Sequence, residues 1–161
     1  MFVIEIIAIV AMTGYAIYRQ TVVSEVATRH RFKLAITYGL VGLVAGGFAL
    51  PHGVAGYAML ITGLVLSAVI GIVRGDRTDI WMEPGGRIVR KGNAVTILLF
   101  LGLITAKVGI GVLAFLTGIQ DGAGFGEIVL MIAIMMAFQA EIVDRRARRL
   151  AVAVHRVPAA A

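Results

Sequence analysis

The chain of 161 residues is 60% hydrophobic, has a mean hydropathy of +0.95 and contains no cysteine. Because soluble domains are roughly 45–50% apolar, this composition predicts an integral membrane protein. The lack of cysteine excludes a thiol–disulfide relay or a thiolate metal site formed by this chain alone. The net charge of +6 does not indicate a nucleic-acid partner, since basic residues collect on the cytoplasmic side of membrane proteins.

Five apolar stretches predict an all-α membrane protein with five transmembrane helices, arranged as a single helical-bundle domain over residues 1–161. A helix needs roughly 20 apolar residues to cross a hydrocarbon core of ~30 Å. The predicted spans are residues 2–18, 34–50, 55–73, 94–117 and 125–143. The polar segment between the third and fourth spans is the one substantial connection.

The first span has no basic region before it and is followed by Arg19, which predicts a retained membrane anchor with the N-terminus outside. Glu5 lies about one turn into this span. We expect its carboxylate at the outer headgroup level. The alternative is that Glu5 is the partner of a buried cation or a protonatable site.

The second span contains Gly42 and Gly46, a GxxxG pair that lets two helix backbones approach closely. This spacing predicts helix packing, either within one subunit or between subunits. The third span returns the chain to the inner face and is expected to stop at Arg74, where the polar segment begins.

A small cytoplasmic β-hairpin is predicted over residues 79–90, between the third and fourth spans. Its two strands are joined by the sequence EPGG, residues 83–86, and proline followed by glycine favours a type II turn. An isolated hairpin is marginal in water. We therefore expect this one to lean on the bilayer or the helix ends, with Trp81 as its interfacial anchor.

The fourth span is the most informative stretch, because it has one charge, Lys107, near its middle and a good N-cap, Asn93, before it. A charge at that depth costs about 2.5–3.5 kcal/mol on insertion scales. Gly111 lies on the same helical face and leaves room for a backbone, a ligand or water. Lys107 therefore either snorkels outward, pairs with a carboxylate and fixes packing, or lines a ligand or ion pathway with Glu5 or Glu127.

The fifth span has Glu127 near its outer end and is followed by a basic tail that can continue as an interfacial helix. Three methionines at helical spacing, Met131, Met135 and Met136, indicate core packing rather than soft-metal binding. No catalytic cluster accompanies them. We expect no enzymatic activity, no cofactor and no metal.

Five spans place the C-terminus inside, and every Lys and Arg except the intramembrane Lys107 then falls on the inner side. This charge bias supports both the number of spans and their direction. A four-span arrangement distributes the cations over both sides.

The run TDIWMEPGGRIVRKGNAVTILLFLGLITAK, residues 78–107, resembles the CcdC-like family of small bacterial integral membrane proteins. The features that carry the resemblance are an aromatic strand with Trp81, an acidic-glycine turn at Glu83, a basic-Gly-polar step that ends at Asn93, and a helix with the buried cation Lys107. The resemblance implies a multi-pass protein of the bacterial cytoplasmic membrane. The family name associates it with cytochrome c biogenesis, and no catalytic residue follows from it.

The sequence favours a non-enzymatic membrane protein that is an accessory or assembly subunit, or that binds a lipid or small ligand. The alternative is a small oligomeric transporter or channel that uses Lys107 with an acidic partner. The expected partners are the lipid bilayer and either other membrane subunits or further copies of this chain, as a homo-oligomer.

Overall fold

The structure, a computed structural model, describes residues 2–26, 32–46, 53–116 and 125–155. Within these ranges the chain forms five helices and a small sheet. The helices are α1 (Phe2–Thr21), α2 (Lys33–Gly46), α3 (Gly53–Arg77), α4 (Ala94–Leu116) and α5 (Phe125–His155), and the strands are β1 (Ser24–Glu25), β2 (Asp79–Met82) and β3 (Ile88–Lys91). Each predicted span coincides with one helix, although residues 47–50 of the second and residue 117 of the fourth lie outside the described residues.

Three of the described helices are long and apolar enough to cross a membrane: Gly56–Arg77, Ala94–Leu113 and Gly126–Val154. α2 contains a shorter apolar segment, Lys33–Val44. The prediction of a mostly helical protein with helices that can span a membrane is therefore confirmed. The count of five crossings and the direction of insertion stay predictions.

The core lies along α5, against which α2 and α3 pack most closely. Its side chains Val129, Ile132 and Met135 are buried in one apolar cluster with Tyr38 of α2 and Phe100 of α4. The methionines at helical spacing thus lie in or against this cluster, as predicted. α1 touches α5 much less, which leaves space between α1 and α2.

α5 continues past residue 143, the predicted end of the fifth span, as a single helix of 31 residues, about 46 Å long. Its extension caps α3. Arg146 Nη1 lies 2.6, 2.8 and 2.9 Å from the carbonyl oxygens of Gly75, Asp76 and Thr78. The last carbonyls of a helix have no intrahelical donor, so Arg146 from α5 supplies one.

α3 and α5 approach each other closely at Gly71 and Gly75. A Cβ on Gly71 would stand 2.5 Å from the carbonyl oxygen of Met135, and one on Gly75 would stand 2.6 Å from Cβ of Ile142. Only glycine allows the two backbones to lie this close. Gly71 and Gly75 form a second GxxxG pair, which the sequence analysis did not single out.

The predicted packing role of Gly42 agrees with its position inside the subunit. A Cβ on Gly42 would lie 3.2 Å from both the Gly126 carbonyl oxygen and Cγ1 of Val129, so α2 meets α5 at this glycine. The surroundings of Gly46 lie outside what the structure describes, and its packing role stays a prediction.

The predicted hairpin is present, since β2 and β3 pair antiparallel. It is not an isolated hairpin, because β1 pairs with the other edge of β3 in the order β1-β3-β2 and sets Ser24 opposite Arg90. The backbone amide of Gly92 also donates to the carbonyl of Gln20 at 2.8 Å. The hairpin therefore leans on the end of α1 through a third strand that the sequence analysis missed.

The prediction of a type II turn at residues 83–86 is wrong. A type II turn needs positive φ at its third residue, which is Gly85, but the glycine with positive φ is Gly86, at 77°. The Gly86 amide donates to the Glu83 carbonyl, and the Glu83 amide donates to the Arg87 carbonyl, both at 2.9 Å. This is a type I turn followed by a left-handed glycine in a G1 bulge, which suits the twist of the strands.

Substitution of Gly71 by alanine is expected to destabilise the α3–α5 contact by about 1–3 kcal/mol, because the new methyl group overlaps the backbone of α5. The matched control is Gly109→Ala, since a Cβ there meets no atom within 4 Å. Alanine is about 1 kcal/mol better than glycine inside a helix, so the control should unfold at the same temperature or higher. Thermal unfolding in detergent measures both, and equal stability of the two variants would contradict the close approach.

Candidate functional site

The intramembrane charge Lys107 forms an ion pair with Glu127. Lys107 Nζ lies 2.5 Å from Glu127 Oε1, which joins α4 to α5. Lys107 is 7% exposed and the Glu127 side chain 19% exposed, so the pair lies on the inside of the bundle. Of the two partners that the sequence left open, the structure brings Glu127 to Lys107; the side chain of Glu5, in α1, lies outside the described part of the chain.

A groove of about 240 Å³ runs between α3 and α4 beside this pair. Lys107, Ala106 and Met131 are among the residues that line it. Gly63 keeps it open, because a Cβ there would lie 3.1 Å from Sδ of Met131 and 3.9 Å from Oε1 of Glu127. The lining is otherwise mostly apolar, which suits an acyl chain or an apolar side chain of a neighbouring helix.

The remaining predicted site residues are not brought to this pair by the described structure. A Cβ on Gly111 meets open space, so the small residue leaves room but touches no other described element. Trp81 lies on the edge strand β2 and is 38% exposed. Its exposure suits an interfacial anchor, and its contact with the bilayer stays a prediction.

Arg74 is a buried charge that the sequence analysis placed wrongly. The third span was expected to stop at this residue, but α3 continues to Arg77 and Arg74 is 0% exposed. Its guanidinium lies 5.0 Å from the centre of the Phe100 ring, and Nη1 lies 3.0 Å from Sδ of Met135. Within the described residues, Nε and Nη2 have no hydrogen-bond acceptor.

A signal for the burial of Arg74 was present in the sequence. Arg74 and Gly75 lie three and four residues after Gly71, and Thr78 lies four and three residues after these two, so the four residues share one helical face. The two glycines on that face fit a buried contact better than a solvent-exposed end. This face of α3 packs on α5, and Arg74 is therefore buried between the two helices.

A second polar site lies where the sheet meets the ends of α1 and α2. Two cavities there, of about 50 Å³ and about 730 Å³, share Arg19, Ser24 and Arg90 in their walls. We call the smaller one the sheet-end chamber and the larger one the sheet-end cleft. The chamber is also lined by Gln20 and Gln139, and it is large enough for a few water molecules.

The polar groups of the chamber are only partly satisfied by the described residues. Gln139 Nε2 donates to Thr78 Oγ1 at 3.3 Å, and Thr78 in turn donates to the Arg74 carbonyl at 2.7 Å. Both side-chain polar atoms of Gln20 are buried without a partner among the described residues. Because a buried carboxamide without hydrogen bonds is costly in free energy, we expect water or a bound polar group to form hydrogen bonds with Gln20.

Two guanidinium groups dominate the electrostatics of the sheet-end cleft. Arg90 Nε lies 3.4 Å from Ser24 Oγ, and burial lowers the pKa of Arg90, which the nearby charge of Arg19 lowers further. The cleft also has two carboxylates in its wall, Glu25 and Asp144. Asp144 Oδ2 accepts a hydrogen bond from Arg148 Nε at 2.9 Å.

The sequence analysis missed this site because it did not predict β1. Residues 20–33 lie between the first and second predicted spans, where the sequence analysis predicts no strand. The β-branched run Thr21, Val22, Val23 was a signal for extended structure. Only pairing with β3 brings Ser24 opposite Arg90, and so sets Arg19 beside that residue.

Together the fold and the site define a helical membrane protein with a polar cleft at the sheet end of the bundle. Comparison of the chain with protein-family models, with curated proteins and with solved structures finds no match.

Removal of one partner of the Lys107–Glu127 pair is expected to cost about 3–5 kcal/mol of stability, because the other charge stays buried without compensation. Lys107→Met and Glu127→Gln are the single variants. The double variant Lys107→Met/Glu127→Met should recover most of the loss, since no charge is left in the interior. A double-mutant cycle by thermal unfolding measures this coupling, and additive single effects would show that the two groups do not interact.

Proposed function

We propose that the chain is a non-enzymatic, multi-pass protein of the bacterial cytoplasmic membrane that binds a lipid or a small ligand as an accessory or assembly subunit. The observation that carries this proposal is the sheet-end cleft, whose volume of about 730 Å³ falls in the range of ligand pockets. The polar groups in and beside it are guanidinium, ammonium, carboxylate, carboxamide and hydroxyl groups. Such groups bind and orient a ligand through hydrogen bonds.

The environment of Lys107 supports the same proposal. Its charge is matched by Glu127, so a packing role accounts for its presence in the fourth span. The pair fixes α4 against α5. On this account the helices form a rigid support, and the sheet end is the part that receives a ligand.

We also propose that five crossings place the N-terminus outside and the sheet end at the cytoplasmic face. The cations at the sheet end, among them Arg19, Lys33, Arg77 and Arg90, support this direction. Membership of the CcdC-like family is proposed on the sequence features between residues 78 and 107. The hairpin, the Asn93 cap and the buried Lys107 in the structure agree with those features.

A second candidate function is transport along a path that includes Lys107 and Glu127. The groove of about 240 Å³ beside the pair favours it, because a charge next to an opening in the membrane can receive an ion or water. In this case the chain acts as a small oligomeric transporter or channel.

Purification in a mild detergent is expected to retain a bound lipid or small molecule, detected by native mass spectrometry. Ala140 lines both sheet-end cavities, so Ala140→Leu should fill them and reduce the bound molecule. Ala106→Leu is the matched control, since Ala106 lines the α3–α4 groove instead. If only the Ala106→Leu variant loses the bound molecule, the binding site is the α3–α4 groove. A wild-type protein that retains no molecule would contradict the proposal.

The transport candidate predicts that Lys107→Met abolishes ion or proton flux in liposomes while the protein stays folded. Lys91→Met, in an exposed position of β3, removes a cation outside the bundle and should leave flux unchanged. Equal flux through wild type and Lys107→Met would exclude a path that uses this residue.

A further inference from the structure

We propose that the sheet-end cleft binds an anionic phospholipid, with its phosphate between Arg19 and Arg90 and its acyl chain between α1 and α2. This inference rests on the ligand-binding function proposed above and names the ligand class of the same site. The argument has three parts: the two cations, the unsatisfied donors beside them, and the change from polar to apolar along the cleft.

Arg19 and Arg90 lie close enough to repel one another, and both line the chamber and the cleft. Among the described residues, no carboxylate lies within ion-pair distance of either guanidinium. Arg90 is half-buried and Arg19 is exposed at its edge, and an anion between two neighbouring cations stabilises both. The planar fork of a guanidinium matches the oxygens of a phosphate group, which can accept two parallel hydrogen bonds.

The chamber behind the two arginines offers further donors. The carboxamide of Gln20 is buried, and its Nε2 has no acceptor among the described residues. Ser24 adds a hydroxyl group to the same walls, and this hydroxyl, which accepts from Arg90, can still donate its own proton. A phosphate has more acceptor positions than two guanidinium groups fill, so these groups, directly or through the few waters that the chamber can hold, complete its hydrogen bonds.

The cleft becomes apolar with distance from the arginines. Ala11, Tyr15 and Arg19 line it at four-residue spacing and so share one face of α1. From Arg19 to Ala11 this face extends about 12 Å along the helix axis. On the opposite wall, Tyr38 and Val41 of α2 continue the apolar surface. A site with cations at one end and an apolar channel at the other has the shape of a phospholipid.

The charges around the cleft favour a ligand with net negative charge. Lys33, at the start of α2, adds a third cation to the same wall. The opposing acidic residues are Glu25 and Asp144, and Asp144 is already engaged by Arg148. The balance leaves an excess of positive charge at the polar end, so a phosphatidylglycerol-type headgroup is favoured over a zwitterionic one.

The test measures phospholipid retained by the purified protein after delipidation and incubation with vesicles of defined composition. Wild type is expected to retain phosphatidylglycerol at about one molecule per chain and phosphatidylcholine at least roughly tenfold more weakly. Inorganic phosphate at millimolar concentration should not displace the lipid, because it lacks the acyl chain. Equal retention of the two lipids would overturn the proposal, and displacement by free phosphate would show that a soluble phosphate is the ligand.

The variant Arg19→Gln is expected to reduce phosphatidylglycerol retention roughly tenfold. Arg19→Lys should recover part of it, since it keeps the charge but not the planar fork. The matched control is Arg87→Gln, because Arg87 is an exposed hairpin residue paired with Glu83 outside the cleft. If the Arg19→Gln variant retains as much phosphatidylglycerol as the wild type, Arg19 does not bind the phosphate and the assignment of the phosphate site is overturned.

The outcomes separate this inference from the function on which it depends. A different retained molecule that is lost in Ala140→Leu but not in Arg19→Gln would leave the ligand-binding function standing and refute the anionic phospholipid. A protein that retains nothing under any condition would refute both.

Discussion

The contact between α3 and α5 at Gly71 and Gly75 is the constraint from which the rest of the structure follows. Because neither glycine has a side chain, the two backbones lie in direct contact, and the face of α3 that carries these glycines is buried. Arg74 and Thr78 share that face, so both enter the interior with it. The same contact places Gln139 of α5 against Thr78, which builds one wall of the sheet-end chamber.

The cations in and beside the described bundle have three kinds of environment. Lys107 is neutralised by a carboxylate from the facing helix, so it joins two elements. Arg74 lies against an aromatic ring and a thioether, which offer weaker interactions than a carboxylate. Arg19 and Arg90 lie beside one another at the edge of a cleft. Within the described part of the chain, this last arrangement combines cations that have no carboxylate partner with space for a ligand, and for that reason we favour the sheet end over the centre of the bundle.

The small sheet connects two distant parts of the chain. Its central strand, β3, pairs on one side with the strand that follows α3 and on the other with the short strand that follows α1. α1 makes few contacts with the helices, so the pairing of Ser24 with Arg90 and the bond from Gly92 to Gln20 are important in holding its end in place. The cleft lies between this end of α1 and the start of α2.

The sequence by itself determined the features that depend on neighbouring residues: the positions of the helices, the β2–β3 hairpin and the Asn93 cap, whose Oδ1 accepts from the Thr96 amide at 3.1 Å. Long apolar runs and local turn chemistry are sufficient for these. It also narrowed the partner of Lys107 to two carboxylates. Only the tertiary structure decided which one pairs, because that contact joins residues 20 apart on different helices. The burial of Arg74 was indicated by the glycines on its face, but it was decided by the packing of α3 on α5. The meeting of Arg19 with Arg90 depends on a strand pairing between residues 66 apart, which no single stretch of the chain specifies.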